Sequence, residues 1–530
     1  VFKQLRTKLA RAIMPGRGVA ARAYAGAKNS RLTSGWVAGN SSEDAELDAS
    51  LITLRSRSRS LVRDCAYAKR AKLIIVNNVV GSGVGIQAQV RSTRDQLREN
   101  VNSAIETAWD EWSRADSCHT GGALHFCDLE RLVLGQVVEA GEAFIRKHYV
   151  RLGKSRVQLS LEVIEPERIA DTHHLPGSPT PGIDVRMGVE RDTFGRAVAY
   201  WIRQRHPSDL RAPPGASERV ERVPADQIIH LRIIDRWPQT RGVPWFHTAI
   251  TRLNDMQEYT ASELQAARLS AAYFGTIESA DDNPLGGESV ADDGTRQYQI
   301  DAGMIQQLNP GEKFAFHSPN RPNSALDPFM RFMLREVASG VGVSYESISR
   351  DYSQSNYSSS RLALLEDRDL WQVLQQWWVR SFRAPLHREW LELAVLSGAV
   401  SALRVDEYAA DPSRFEAVSW KLRGWTWIDP TKEVQAYKEA VKAGFTTVTD
   451  VIAATAAGKD VEDVIAQRAR ELAMFEEAGI DLDTTVPEEP TEPTNQPANG
   501  TPSPSSADPN EADQQDPNEN PPLRVFSFSK

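Results

Sequence analysis

Two thiols and two imidazoles lie within ten residues, in Cys118-His119 and His125-x-Cys127, the side-chain types that bind zinc. Structural zinc sites usually pair ligands two to four residues apart, with a longer gap between the pairs. Here an adjacent pair is followed at once by a pair one residue apart, so a polar loop ahead of a helix is expected instead. Gly81-Ser82-Gly83-Val84-Gly85 resembles a phosphate-cradling loop, but the strict dinucleotide spacing fails, which leaves a glycine-rich turn. No phosphate loop of the GxxxxGK[ST] form exists: Gly458-Lys459 is followed by Asp460, and position 453 is Ala. His173-His174 has no Cys or carboxylate companion, and the serines of 353–360 lack the GxSxG turn that exposes a nucleophile. No carboxylate pair stands out as general acid and base. The expectation is therefore no catalytic, cofactor-binding or metal-ligating residues, no cofactor, and no enzyme.

The elements that would carry these residues can be read from periodicity. Arg55, Arg57, Arg59, Arg63, Lys69, Arg70 and Lys72 form a basic cluster on a helix, expected to be a solvated face rather than a nucleic-acid surface. Val101, Ile105, Ala108, Trp109 and Trp112 recur at helical spacing, and a further helix is expected over Leu129–Ala140. Phe144–Val150 reads as a strand, and Val157, Leu159, Leu161 and Val163 alternate with polar residues as a half-buried strand does. After a Pro- and Gly-rich stretch, 165–183, strands are expected near Ala197–Arg203 and Gln227–Ile233, which makes 157–243 a β-rich insertion. Pro244 is placed to open a long helix, because a first-turn proline forfeits no hydrogen bond. Residues 279–300 are a polar loop.

From Asp327 a helix with Phe329, Phe332, Met333, Val337 and Val341 on its apolar positions stops at Gly342. The segment 349–360 that follows has almost no aliphatic side chains, and Ser359 or Ser360 is expected to cap the helix beginning at Arg361. In that helix, 361–398, Trp371, Leu374, Trp378, Phe382, Leu386, Trp390 and Leu393 step by three or four, with a kink at Pro385. Residues 429–482 read as a compact unit of three helices, beginning at Asp429-Pro430.

Composition narrows the class. The chain has 530 residues, enough for several packed units. Three Cys argue against a disulfide framework. No run reaches the roughly 18 apolar residues of a membrane helix, and the basic stretch 1–31 has no apolar signal-peptide core, so no membrane partner is expected. Residues 1–50 are expected to be a basic arm, and 483–530, with ten of the 29 prolines in the last 50 residues, an acidic disordered tail in which 487–530 take no fixed position. The net charge of −9 matters most, because proteins that grip DNA present a basic surface and release counterions from it. An acidic chain suits a conduit past which DNA slides better than a clamp.

The run Gly342-Val343-Ser344-Tyr345-Glu346-Ser347-Ile348, then Asp351-Tyr352-Ser353, Asn356-Tyr357-Ser358-Ser359-Ser360-Arg361 and Leu365-Glu366, resembles the signature of lambda-type tailed-phage portal proteins. Asn78–Gly83, Gly242-Val243-Pro244-Trp245 and Trp427–Glu433 resemble other parts of that family in the same order, so that the resemblance covers about residues 20–480.

The resemblance implies an α+β, predominantly helical portal fold of wing, stem, clip and crown, assembling into a ring, usually a dodecamer, at one capsid vertex of the virion after assembly in the host cytoplasm. Its parts would be wing at 51–156 and 279–428, clip within 157–243, stem helix at 244–278, and crown at 429–482. It implies a passive channel for double-stranded DNA in packaging and ejection. The implied partners are the terminase large subunit, which supplies the energy, the major capsid or scaffolding protein, and the head–tail connector. Tyr352, Ser353, Gln354, Ser355, Asn356, Tyr357 and Ser358 would approach DNA in the tunnel, neutral groups that can touch phosphate or sugar without a deep electrostatic well. Two other readings are another phage head–tail ring component, disfavoured by length, and a metal-dependent hydrolase or nuclease.

Overall fold

The computed structural model describes residues 39–480 apart from 95, 171–181, 212, 214–218, 273–274, 280–288, 291–295, 298–311, 317–323, 355, 426–429 and 456–460. The expected arm before residue 39, the tail from 481 and His173-His174 lie outside the described residues. Two compact units are present, Val1–Val461 and Glu462–Lys530.

The first unit is built on helices. α1 (Glu43–Asp64) and α2 (Ala66–Val79) are separated at Cys65, whose extended backbone interrupts the expected single basic helix. α3 (Glu99–Trp112), the short α4 (Ala115–Cys118) and α5 (Phe126–Ala140) follow. α5 ends at Gly141, with φ 87°, where a Cβ would lie 2.3 Å from the backbone of Val243. Only glycine admits that approach, which joins the helix end to the chain that returns from the β-rich insertion.

The insertion 157–243 holds one sheet and shares a second with the strand that precedes it. β2 (Glu142–His148) is central between β3 (Ser160–Ile164) and β8 (Ile228–Arg232), antiparallel to both. β4 (Asp184–Arg186), β5 (Val189–Arg191), β6 (Ala197–Arg203) and β7 (Val220–Pro224) form an antiparallel meander. The strand expected over 157–163 begins only at Ser160. Val157 and Leu159 are buried as the alternation requires, but the Leu159 carbonyl accepts from Trp112 Nε1 at 2.7 Å instead of joining a ladder.

Pro244 does not open the long helix. Its ψ of 133° is extended, a 3₁₀ turn over Trp245–Thr248 follows, and α6 (Ile250–Ala272) starts beyond it. The turn sends Phe246 into the core and lets Trp245 Nε1 donate to the Val341 carbonyl at 2.8 Å. β9 (Gly275–Ser279) pairs with β12 (Glu312–Phe316), and a two-residue ladder, β10 (Ser289–Val290) with β11 (Arg296–Gln297), falls inside the stretch expected as polar loop.

α7 (Leu326–Val341) ends, as its sequence predicts, at Gly342 with φ 74°. α8 (Tyr345–Ser349) leads to α9 (Tyr357–Trp378), then a π-helical turn over Val379–Arg383 and α10 (Ala384–Leu396). The expected break near Pro385 thus takes the form of a π turn just before it, in which Ala384 N–H donates to the Val379 carbonyl. The turn buries Arg383 completely, with its guanidinium 4.8–5.1 Å from the ring centres of Phe126, Trp109 and Trp420 and 3.4 Å from Glu130. Trp112, Trp378, Phe382 and Trp390 complete this aromatic centre.

α11 (Val405–Ala410) and β13 (Val418–Lys421), which pairs with β1 (Gly85–Ala88), close the body. α12 (Pro430–Lys442) and α13 (Val448–Thr455) belong to the first unit, whereas α14 (Val461–Glu477) is the described part of the second. The three helices expected within 429–482 all form, and their side chains are half-buried or exposed wherever described.

Candidate functional site

The segment between α7 and α9 is held by two carboxylates. Asp367, nearly three turns into α9, accepts from the Ser344 backbone N–H at 3.0 Å, the Ser344 hydroxyl at 2.7 Å and the Ser347 hydroxyl at 3.2 Å. It therefore clamps the start of α8 to the side of α9. Burial raises the Asp367 pKa, and the serine hydrogen bonds oppose that rise. Asp351 is the second anchor. It accepts from Tyr345 OH at 2.9 Å and from Ser353 N–H at 3.0 Å, and lies 3.5 Å from Arg331 of α7. Hydrogen bonds from Ser353, through its hydroxyl and its backbone N–H, and then from Tyr345, hold Asp351 down at about 2.

Between these anchors Arg350 has φ 57°, a left-handed conformation at the end of α8, and Arg70 of α2 donates to the Ser347 carbonyl at 3.2 Å. The loop is thus fastened to α2, α7 and α9 while its outer side chains face solvent.

Of the seven residues expected to approach DNA, Tyr352, Ser353 and Gln354 are exposed on this loop, Tyr352 to 60%. Asn356 is committed elsewhere: it is the N-cap of α9. Its Oδ1 accepts from Ser359 N–H at 2.8 Å, and its own N–H donates to Ser359 Oγ at 3.1 Å. This corrects the expectation of a cap at Ser359 or Ser360 and of a helix start at Arg361. An asparagine accepts as well as serine does, and Ser359 at the third helical position completes the reciprocal box. Ser358 is exposed in the first turn of α9, while Ser355 and the side chain of Tyr357 lie outside the described residues. Asp367, Arg331 and Tyr345 were missed in the sequence. The only signal for Asp367 was a carboxylate on an otherwise apolar-facing helix position.

Cys118 and His125 are engaged in local contacts. Cys118 is buried, its Sγ 3.3 Å from the Ser113 carbonyl, and burial pushes its thiol up to about 12. His125 Nδ1 accepts from Cys127 N–H as the cap of α5. Among the described residues no group of three or more His, Cys, Asp or Glu side chains could hold a metal ion. The glycine run is a turn, with φ 64° at Gly81 and 116° at Gly83.

The basic cluster is only partly a solvated face: Arg57, Arg63 and Lys69 are exposed, whereas Arg55 is buried. Arg55 and Arg59 meet Glu167, Lys72 meets Glu139, and Arg63 pairs with Asp64. Those carboxylates meet four of the seven cations.

A second charged centre joins the insertion to the body. Glu142 of β2 and Arg241 are both fully buried and 2.6 Å apart, and Glu142 also accepts from Gly242 N–H and His230 Nε2. With Nε2 donating, His230 Nδ1 is an acceptor for Arg232 at 2.8 Å. Arg241 donates to the carbonyls of Met187 and Pro166. Five segments meet at this pair.

The sequence profile described as "Phage portal protein, lambda family" matches residues 29–375. The chain belongs to the lambda family of phage portal proteins. It has the predominantly helical α+β portal fold and the function of a phage portal protein, a structural role, rather than that of the hydrolase or the shorter ring component. It is similar to the probable portal protein of Halomonas phage phiHAP-1, 28% identical over 469 residues that cover 87% of this chain and 88% of that one. It is also similar to portal protein B of Escherichia phage lambda, 23% identical over 486 residues covering 84% and 88%. Among solved structures it resembles a chain from the neck of a native gene transfer agent particle computed with C12 symmetry, at 14% identity and a TM-score of 0.41, over 74% of this chain and 92% of that one. No helix among the described residues is long and apolar enough to cross a membrane.

Proposed function

We propose that many copies of this chain close into a ring, a dodecamer by family analogy, at one capsid vertex of the virion. Double-stranded DNA enters and leaves through its bore. The ring is a passive conduit assembled in the host cytoplasm with the capsid or scaffolding protein. It docks the terminase large subunit during packaging and the head–tail connector afterwards. No catalytic step is assigned to it.

The observation that carries this reading is the loop 350–354: a short polar segment anchored by Asp351, between α8, which Asp367 holds to α9, and the capped start of α9, with Tyr352, Ser353 and Gln354 left exposed. A loop fixed by its base but presenting neutral hydrogen-bonding groups can guide a sliding duplex without trapping it. We assign Tyr352, Ser353 and Gln354 as the residues that reach DNA, and Asn356 as a residue that shapes the loop.

The stem is assigned to α6 together with α7. The two helices touch: Arg252 meets Glu336 at 2.9 Å, and the Tyr259 and Phe329 rings lie 5.0 Å apart. We place the clip in the connection between these helices, where β9 pairs with β12, rather than in 157–243. Phe144, Ile164 and Ile202, of the shared sheet and the meander, are buried together, and β2 is keyed to the body by Glu142. The wing is assigned to 51–156 and 324–425, with the insertion joined to it, and the crown to 429–482.

Negative-stain electron microscopy of the purified chain tests the reading. Annular particles with an axial hole are expected, and material that stays monomeric at all concentrations would refute it.

A further inference from the structure

One apolar surface of the first unit has no cover among the described residues. α6 and α7 enclose a cleft of about 410 Å³ lined by Tyr259, Phe329, Phe332 and Met333 and rimmed by Arg252 and Glu336. Phe332 is 64% exposed. Beyond Met256, no described side chain of α6 is buried. Aromatic anchors in a concave, charge-rimmed patch are the anatomy of a protein interface.

A second surface matches it in chemistry. On α9, Leu362 (60% exposed) and Val373 (62% exposed) lie on one helical face with Glu366 and Asp369 between them, at steps of four, three and four. Among the described residues neither carboxylate has an ion-pair or hydrogen-bond partner. Arg335, one turn beyond Phe332 on α7, is exposed and also has no carboxylate partner there. Its guanidinium lies over the Tyr345 ring, 5.4 Å from the ring centre. One surface thus offers an apolar cleft beside an uncompensated cation, and the other an apolar ridge bearing two uncompensated anions.

A ring is built by head-to-tail contacts, in which each subunit presents two different, complementary faces. We propose that the α6–α7 cleft seats the α9 ridge of a second copy of this chain, with Phe332 as the apolar anchor and Arg335 meeting Glu366 across the contact. This inference rests on the ring reading above. Since α9 begins at the loop 350–354, the same contact would fix where each copy's loop stands relative to its neighbour's.

Mass photometry of the full chain over a concentration series tests it. The wild-type chain should close into rings. Phe332→Asp and Leu362→Asp should each raise the concentration for half-assembly by about thirtyfold or more, the scale of losing one central anchor. Arg335→Glu and Glu366→Arg should each weaken assembly, and the double variant should recover it to within about threefold, since the two charges are then exchanged. Phe332 is exposed, so far-UV circular dichroism of the variants should match the wild type. If wild-type rings form and Phe332→Asp assembles as well as wild type, or the charge exchange gives no recovery, the proposed contact is wrong while the ring survives. If the wild-type chain itself stays monomeric, the ring reading falls first.

Discussion

Arg241 and Glu142 form a fully buried ion pair, 2.6 Å from Nη2 to Oε1, at the junction where the β-rich insertion leaves and rejoins the helical body. Burial alone would raise the pKa of Glu142. The charge of Arg241, with the hydrogen bond from His230, reverses that and holds the carboxylate ionised far below its usual range. The pair is a keystone because Arg241 is joined to segments 99, 75 and 54 residues away in the chain, at Glu142, Pro166 and Met187.

Removing one member should therefore be far worse than its area suggests. Glu142→Gln leaves the Arg241 guanidinium buried without a counter-charge and is expected to cost about 3–5 kcal/mol. Arg241→Met combined with Glu142→Gln should recover part of the loss. Urea denaturation of the single and double variants measures both, and equal stability of Glu142→Gln and wild type would refute the keystone role.

Two buried histidines set an acid limit on stability. Burial, then the charge of Arg232, pushes His230 from 6.5 down to about 3, and burial, then Arg383, does the same to His387. Between those values the unfolded chain binds more protons than the folded one, so stability rises with pH. The contribution is fully present above 6.5 and is lost as the pH falls toward 3, at up to about 1.4 kcal/mol per pH unit for each histidine. Denaturation midpoints measured from pH 7.5 to 4 should fall accordingly, and His387→Phe should flatten the slope. A wild-type profile level across this range would contradict the assignment.

Asn356→Ala removes the side chain that satisfies the first turn of α9 and should destabilise it by about 1 kcal/mol, whereas Asn356→Asp should be near neutral. Hydrogen exchange at Ser359 reads this directly, because its N–H donates to Asn356 Oδ1. Unchanged protection in the alanine variant would rule out the cap.

Gly141→Ala places a methyl group 2.3 Å from the Val243 carbonyl carbon at a φ of 87°. Both the contact and the backbone oppose it, so a loss well above about 1 kcal/mol is expected. Thermal unfolding measures it, and a wild-type midpoint would show that the helix end can retreat from 243.

Tyr352→Ala with Tyr357→Ala should spare ring assembly and reduce the yield of DNA-filled particles in a complementation assay. An undiminished yield would remove the loop from contact with DNA.

Much of the helical body was legible in the sequence. The apolar steps of Val101, Ile105, Ala108 and Trp109 and the stop at Gly342 name their elements, because helix periodicity and a left-handed glycine cap are local properties. The cap of α9 was misread by a few residues, since Asn356, Ser358, Ser359 and Ser360 all qualify and only the hydrogen bonds choose among them. In the cluster of cations on α1 and α2, the exposure of Arg57, Arg63 and Lys69 was legible and the pairing of the others was not. Its neutralising carboxylates, Glu139 and Glu167, arrive from distant segments that no local pattern places there.

The amino-acid order by itself determined which stretches become helices, which strand faces are apolar, and that 342–366 carries a portal signature. Tertiary structure decided which charges are consumed in the interior and which remain outside: Arg55 and Glu142 are buried and paired, while Arg335, Glu366 and Tyr352 face solvent. The reason is range. Backbone geometry responds to neighbours three or four residues away, but whether a charge is neutralised depends on side chains brought within a few ångströms by the whole fold.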